Sequence, residues 1–271
     1  MRIIVLVDFS LYTQSLIRVA THWAELLNAE LILVHEVPRL APAMVDDNTR
    51  YKIIDLEKEE ALSKLKKLTE RTIPDHLSVD YEVTERRLTY FLPQLMPQKI
   101  PTLIMLGLKG TGLLKRVFLG SVATKIISEL NKTTVGVPIK ITQAVPENLI
   151  LPVNPEYSIN HEKLNQLLIF LRPSLKNIDF IALNPSIDTE TESTNLLKEL
   201  TNKYNGSLST NYKIFKSKKA FDEFKSYTTQ KGNSFLVLQK GSRSFNDMIY
   251  RQFFINRIVH DGSIPLIVLP K

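Results

Sequence analysis

Short apolar runs alternate with helically spaced apolar residues from one end of the chain to the other. Residues 3–7 (IIVLV) form a continuous apolar run cut off by Asp8, the pattern of a strand buried on both faces. Ser10 then offers a helix N-cap. Leu16, Val19, Ala20, Trp23, Ala24 and Leu27 follow at the spacing of one helical face, and Asn28 is placed to stop that helix. A second buried strand is predicted at 31–34. A loop with Pro38, Pro42 and two aspartates leads to a charged helix over 51–70, with Ile54, Ala61, Leu62, Leu65 and Leu68 turned inward. The pattern then gives a third strand at 77–83, a helix over 88–95 ending before Pro97, and a fourth strand at 103–106. A glycine-bearing loop spans 107–120, and a helix over 121–130 precedes a fifth strand at 133–137.

The remaining residues repeat this order. Strands are predicted at 149–153, 179–183, 210–215, 235–238 and 266–269. Between them lie helical faces carried by Leu164, Leu167, Leu168 and Leu171, by Leu196, Leu197, Leu200 and Tyr204, by Ala220, Phe221, Phe224 and Tyr227, and by residues 254–259. Residues 6–8 overlie 152–154 at an offset of 146, whereas 103–138 overlie 235–270 at an offset of 132, so the second copy is shorter by 14 residues. Strands separated by helices require right-handed crossovers and a parallel sheet covered on both faces. The expectation is therefore α/β, with two tandem Rossmann-like domains of five strands each: 1–140, a linker at 141–148 containing Pro146, and 149–271.

Composition narrows the function classes. The 271 residues are 44% apolar and 23% charged and include no cysteine, which excludes disulfides, thiolate metal sites and cysteine nucleophiles. The run at 3–7 is too short for a signal-peptide core or a membrane span, so a cytoplasmic protein without a membrane partner is expected. The net charge of +7 is spread evenly: residues 1–143 hold 19 basic and 16 acidic residues, and the rest hold 16 and 12. Neither half has a basic tail or basic-aromatic array, so nucleic acid is not expected as a partner. The groups Lys64, Lys66, Lys67 and Lys216, Lys218, Lys219 read as solvated surface. His22, His35, His76, His161 and His260 show no metal-ligand spacing, and no serine sits in a nucleophile elbow. His35, at a strand end, reads as a packing and hydrogen-bonding residue, with contact to a ligand as the alternative.

In an open α/β sheet, ligands lie beyond the carboxyl ends of the strands where the strand order reverses. The first strand ends in Asp8. The fourth ends in Gly107-Leu108-Lys109-Gly110, followed after nine residues by Gly120-Ser121. Glycines let backbone approach a ligand, and a helix opening at Ser121 has free N–H groups for phosphate oxygens. Lys109, Lys115 and Arg116 add positive charge nearby. The motif Gly107-x2-Gly110-x9-Gly120-Ser121, together with residues 3–10 and 31–35, resembles the universal stress protein family.

That resemblance implies a strand order of 3-2-1-4-5 in each half and bound ATP, with or without Mg2+. Val7 and Asp8 are then expected by the adenine and ribose, with Leu106 and Gly107 under the nucleotide. Gly110, Gly120, Ser121 and Val122 are expected around the phosphates. Glu36 falls where the family usually has an apolar residue against adenine, and Ala123 replaces a common hydroxyl residue. In the second half, Gly107, Gly110, Gly120 and Ser121 become Gln239, Ser242, Gln252 and Phe253, and Asp8 becomes Asn154. One nucleotide per chain is expected, with the second half structural or sensing. The two fifth strands are expected to cover each other in an intramolecular pseudo-dimer, and a homodimer is the further oligomeric form considered. The expected function is that of a stress-associated ATP-binding protein. A structural or small-ligand module without nucleotide and a slow ATP hydrolase are the alternatives.

Overall fold

A computed structural model describes residues 1–37, 46–108, 121–141, 144–183, 187–206, 208–216, 219–240 and 264–271. Ten strands form one sheet. In chain order they are β1 (Arg2–Leu6), β2 (Glu30–Glu36), β3 (Val79–Thr84), β4 (Thr102–Gly107), β5 (Thr134–Val137), β6 (Asn148–Pro152), β7 (Asn177–Leu183), β8 (Ser209–Phe215), β9 (Ser234–Gln239) and β10 (Leu266–Leu269). Across the sheet they run β3-β2-β1-β4-β5-β10-β9-β6-β7-β8. Each set of five thus has the order 3-2-1-4-5. Strands within a set are parallel, and the two sets meet at an antiparallel β5–β10 junction, with Val135 opposite Ile267 and Gly136 opposite Leu266.

The internal repeat extends to individual hydrogen bonds. Leu108 N donates to Val137 O, and Lys240 N, 132 residues later, donates to Leu269 O, both at 2.8 Å. Ile104 N to Thr133 O at 3.0 Å is matched by Leu236 N to Pro265 O at 2.9 Å. On the other side of each set, Val7 N donates to Val34 O at 2.9 Å and Val153 N to Ile181 O at 2.8 Å.

Alternation along the strands sorts the core into two faces. Ile3, Val5 and Val7 point to the face covered by α1 (Thr13–Leu27) and α2 (Asp47–Thr69), through Leu16, Trp23 and Leu65. In the second half the same face carries α5 (His161–Leu171) and α6 (Ile187–Tyr204). Ile4 and Leu6 point to the opposite face. There lie α3 (Leu88–Phe91) with the 3-10 turn Leu92–Leu95, α4 (Ser121–Glu129) and α7 (Ala220–Gln230).

The stretch joining the two sets of strands is tied to α1. Ser15 Oγ donates to Ile139 O at 2.8 Å, an Arg18 guanidinium N–H donates to Ile141 O at 2.6 Å, and Trp23 Nε1 donates to Ala144 O at 2.8 Å. Ile141 and Ala144 are buried. The fully buried Trp23 ring also lies 6.1 Å from that of Phe235 in β9, so one core runs through both halves.

Three local expectations change. Ser10 does not cap α1. The N-cap is Tyr12, with no side-chain cap bond, and the Ser10 hydroxyl instead accepts from Tyr12 N at 3.4 Å. Asn28 does end the helix, in the left-handed conformation at φ 46°. Leu68 is not an inner-face residue: it is exposed, and Thr69 takes the buried position, its hydroxyl donating to the Leu65 carbonyl at 3.2 Å and sharing a 2.6 Å bond with Tyr81 Oη. The helix over 88–95 divides into one α turn and a 3-10 turn, because Pro93 lacks the N–H that would continue the ladder. The helix expected at 254–259 lies outside the described residues.

Candidate functional site

Between β1 and β4 the strand order reverses, and α1 and α4 leave the sheet on opposite faces. This opens a crevice at the carboxyl ends of the strands. Leu6 is in register with both Val34 of β2 and Leu106 of β4. Asp8 and Glu36 each stand two residues beyond that row, so alternation gives them the face on which α3 and α4 lie. Asp8, Glu36 and Leu106 therefore lie on one face at this end of the sheet, and α4 follows β4 onto the same face.

The individual contacts are as follows. Val7 is buried and its carbonyl accepts from His35 Nδ1 at 2.7 Å, which makes His35 a structural tie between β1 and β2. Asp8 is exposed, and its Oδ1 accepts from Ser10 N at 3.0 Å, closing the turn that leads to α1. Asn154 repeats this bond in the second half, accepting from Glu156 N at 2.9 Å. Glu36 is half-buried, and its Oε2 accepts from Leu88 N at the start of α3, at 3.0 Å. The unfamiliar carboxylate at this position thus has a backbone partner.

Leu106 is buried. Gly107 is small for a reason inside the fold: an added Cβ would lie 3.0 Å from Tyr12 Cβ. At the matching places of the second half, the glycine becomes Gln239 and the tyrosine Ser158. Gln239 Oε1 accepts from Asn160 N at 2.6 Å and its Nε2 donates to Ser158 O at 3.4 Å, so large and small have exchanged positions. Ser121 opens α4. Val122, in the first turn of that helix, is 49% exposed. Gly110 and Gly120, with Lys109, Lys115 and Arg116, lie outside the described residues, as do Ser242, Gln252 and Phe253.

The Universal stress protein family profile matches residues 1–138. The chain belongs to the universal stress protein family. A universal stress protein from Archaeoglobus fulgidus is similar over 99% of this chain and 98% of its own, at 11% identity and a TM-score of 0.67. A functionally unknown protein from Pseudomonas aeruginosa is similar over 99% and 92%, at 14% identity and a TM-score of 0.54. At such identities the likeness concerns the fold alone. No curated protein sequence matches the chain.

Two features of this universal stress protein were not anticipated from sequence. Phe9, next to Asp8, has φ 55°, a conformation unfavourable for a bulky side chain. Its ring lies 4.3 Å from that of His35, with Lys64 Nζ 4.3 Å from its centroid. Lys64, read as solvated surface, therefore leans against Phe9 on the α1–α2 face of the sheet. Only the aromatic residue directly after Asp8 hinted at this; nothing in the pattern singled out Lys64. The second half also has its crevice, with a cavity of about 440 Å3 bordered by Tyr157, Ser158, Asn160, Gln239, Lys240 and Lys271. Among the described residues no cluster of three or more His, Asp or Glu side chains is suited to a metal ion, and no helix is long and apolar enough to cross a membrane.

Proposed function

We propose that this stress-related protein binds one nucleotide, ATP, in the crevice of its first half, and that the second half serves as a structural or sensing partner. The observation that supports this reading best is the switch point itself. Leu106 and Gly107 end β4, Asp8 stands two residues past the end of β1, and α4, the next helix after β4, has an exposed Val122 in its first turn. Free N–H groups at a helix start attract phosphate oxygens, and the glycine spacing 107-110-120 leads directly into that start. The fit of residues is partial but consistent. Leu106 supplies an apolar floor, Asp8 a hydroxyl-accepting carboxylate for ribose, and Gly120 and Ser121 the small residues that phosphate approach requires.

Hydrolysis has less support. Among the described residues there is no base held against a water site and no cationic clamp for a transferring phosphoryl group. Binding without fast turnover is the expected behaviour, with the bound state controlling a conformation or a partner.

Titration calorimetry with MgATP tests the proposal. One site per chain is expected, abolished by Gly120→Val and not doubled by Phe253→Ser. Two sites, or a site that survives Gly120→Val, would place the ligand in the wrong half. Turnover at roughly 1 per second or faster, lost in a folded Asp8→Ala variant, would overturn the binding-only reading.

A further inference from the structure

We propose that Phe9 is a positioning residue of the first crevice and that its left-handed backbone is what ligand binding there requires. The proposal rests on the nucleotide reading above and adds to it a residue that acts through Asp8.

The two halves serve as each other's control. Both carry the same side-chain bond past the end of their first strand: Asp8 Oδ1 accepts from Ser10 N at 3.0 Å, and Asn154 Oδ1 accepts from Glu156 N at 2.9 Å. The residue between differs. It is Phe9 at φ 55° in the first half and Pro155 in the second, and a proline ring holds φ near about −65°. The second turn is closed by Tyr157 N donating to Asn154 O at 3.0 Å, a β-turn with proline at its second position. The left-handed backbone at Phe9 is therefore not a requirement of the fold, since the second half makes the same strand end and the same side-chain bond without it.

A bulky residue stays in this conformation only where its surroundings hold it there. Two neighbours do so. The His35 ring lies 4.3 Å from that of Phe9 and is itself fixed by its 2.7 Å bond to the Val7 carbonyl, and Lys64 Nζ lies 4.3 Å from the Phe9 centroid. In the second half the bond from Val7 N to Val34 O corresponds to that from Val153 N to Ile181 O, which sets Ala182, without a ring, in the place of His35. Strain and clamp thus occur together, in the half that carries the glycine motif.

The consequence falls on Asp8. Its Oδ1 is tied to Ser10 N, and the peptide that carries this N–H turns with the dihedrals of Phe9. A left-handed Phe9 aims the carboxylate in one direction, and an extended or right-handed one aims it in another. The Phe9 ring packs on the α1–α2 face, so it holds the turn from the side opposite Asp8.

Titration calorimetry with MgATP on the full-length protein compares wild type with Phe9→Gly, Phe9→Ala and Phe9→Pro. Glycine loses the ring but takes positive φ about as readily as negative, so Phe9→Gly should weaken binding only about two- to threefold. Alanine loses the ring and resists positive φ. Phe9→Ala should bind about 5–30 times more weakly than Phe9→Gly, the left-handed cost converted to affinity. Phe9→Pro, which copies the second half, should bind more weakly than either. Circular dichroism and thermal melting establish that each variant is folded. A folded Phe9→Pro that binds as wild type does, or a Phe9→Gly that binds no better than Phe9→Ala, would overturn the role of the backbone while leaving nucleotide binding intact. Should Phe9→Pro fail to fold, the comparison of glycine with alanine decides. Wild type that binds no MgATP would overturn both readings.

Discussion

Replacing Gly136 by alanine probes the packing that links the fifth strand to the end of β4. Gly136 lies in β5 between Leu106 of β4 and Leu266 of β10. A Cβ there would fall 2.5 Å from Leu108 Cδ2, 2.8 Å from Cγ and 3.0 Å from Cδ1. The whole isobutyl head must therefore move, and Leu108 is only 1% exposed, so it has little room. Overpacking of a dense core costs about 1–3 kcal/mol, of which roughly 0.5–1 kcal/mol is offset by the lower backbone entropy of alanine in a strand. A net loss of about 0–2.5 kcal/mol, with its midpoint near 1 kcal/mol, follows from these two ranges. Urea denaturation of Gly136→Ala should show a lowered midpoint with an unchanged m-value. Leu108→Ala alone should lose about 2–5 kcal/mol, and the double variant should fall short of the sum by ~1 kcal/mol or more, as contacting residues do. Gly136→Ala more stable than wild type, or a strictly additive cycle, would refute the packing argument. The second half supplies an internal comparison. There the pair is Val268 and Lys240, and Lys240 Nζ reaches 3.4 Å from the carbonyl of Leu130, just past the end of α4.

Other outcomes follow from buried polar groups. Trp23→Phe removes the donor to Ala144 O from a fully buried site and should cost about 2–4 kcal/mol in thermal or urea unfolding; a change under a few tenths would mean that the connector is not held there. Asp179 is fully buried in β7, where it accepts from Tyr227 Oη at 2.6 Å and from the Lys231 ammonium. Lys231→Met should thus lose about 3–5 kcal/mol by stranding a carboxylate, and Asp179→Ile combined with Lys231→Met should recover most of it, since Ile32 occupies the matching place in the first half. Burial first, and then the positive charge of Lys203, hold the His161 imidazole below its ordinary protonation range. The unfolded chain therefore takes up that proton before the folded one, and stability should fall as pH drops below about 6.5. The difference between wild type and His161→Gln across pH 5–8 measures this, and parallel curves would exclude it.

Much of the architecture was legible because a two-sided parallel sheet writes itself as apolar runs. Residues 3–7, 103–106 and 266–269 are each buried on both faces, and Asn28 marks a helix end by its own backbone preference. The offset between copies was readable because each half must satisfy the same strand ladder. Side-chain identity was less informative where two partners trade roles. Gln239 looked like the loss of a ligand anchor, yet Ser158 in place of Tyr12 gives it room and a bond. Glu36 looked like an uncompensated charge because its partner, Leu88 N, is 52 residues away on another element. Ser10 has the residue type of a cap, but the chain needs two further residues to turn from Asp8 into α1, so the hydroxyl serves the turn instead.

The antiparallel junction at the centre of the sheet also imposes an order in time. β5 is finished at Val137, but the strand that covers it is Leu266–Leu269, the last of the ten to leave the ribosome. At about 5–20 residues per second, the intervening chain takes on the order of ten seconds to make. Throughout that interval the first half presents a bare apolar edge, and the same edge is uncovered in any truncation that ends before Leu266. Two nascent chains side by side each expose what the other will later offer, so exchange of β10 between copies is the misassembly to which this fold is most open.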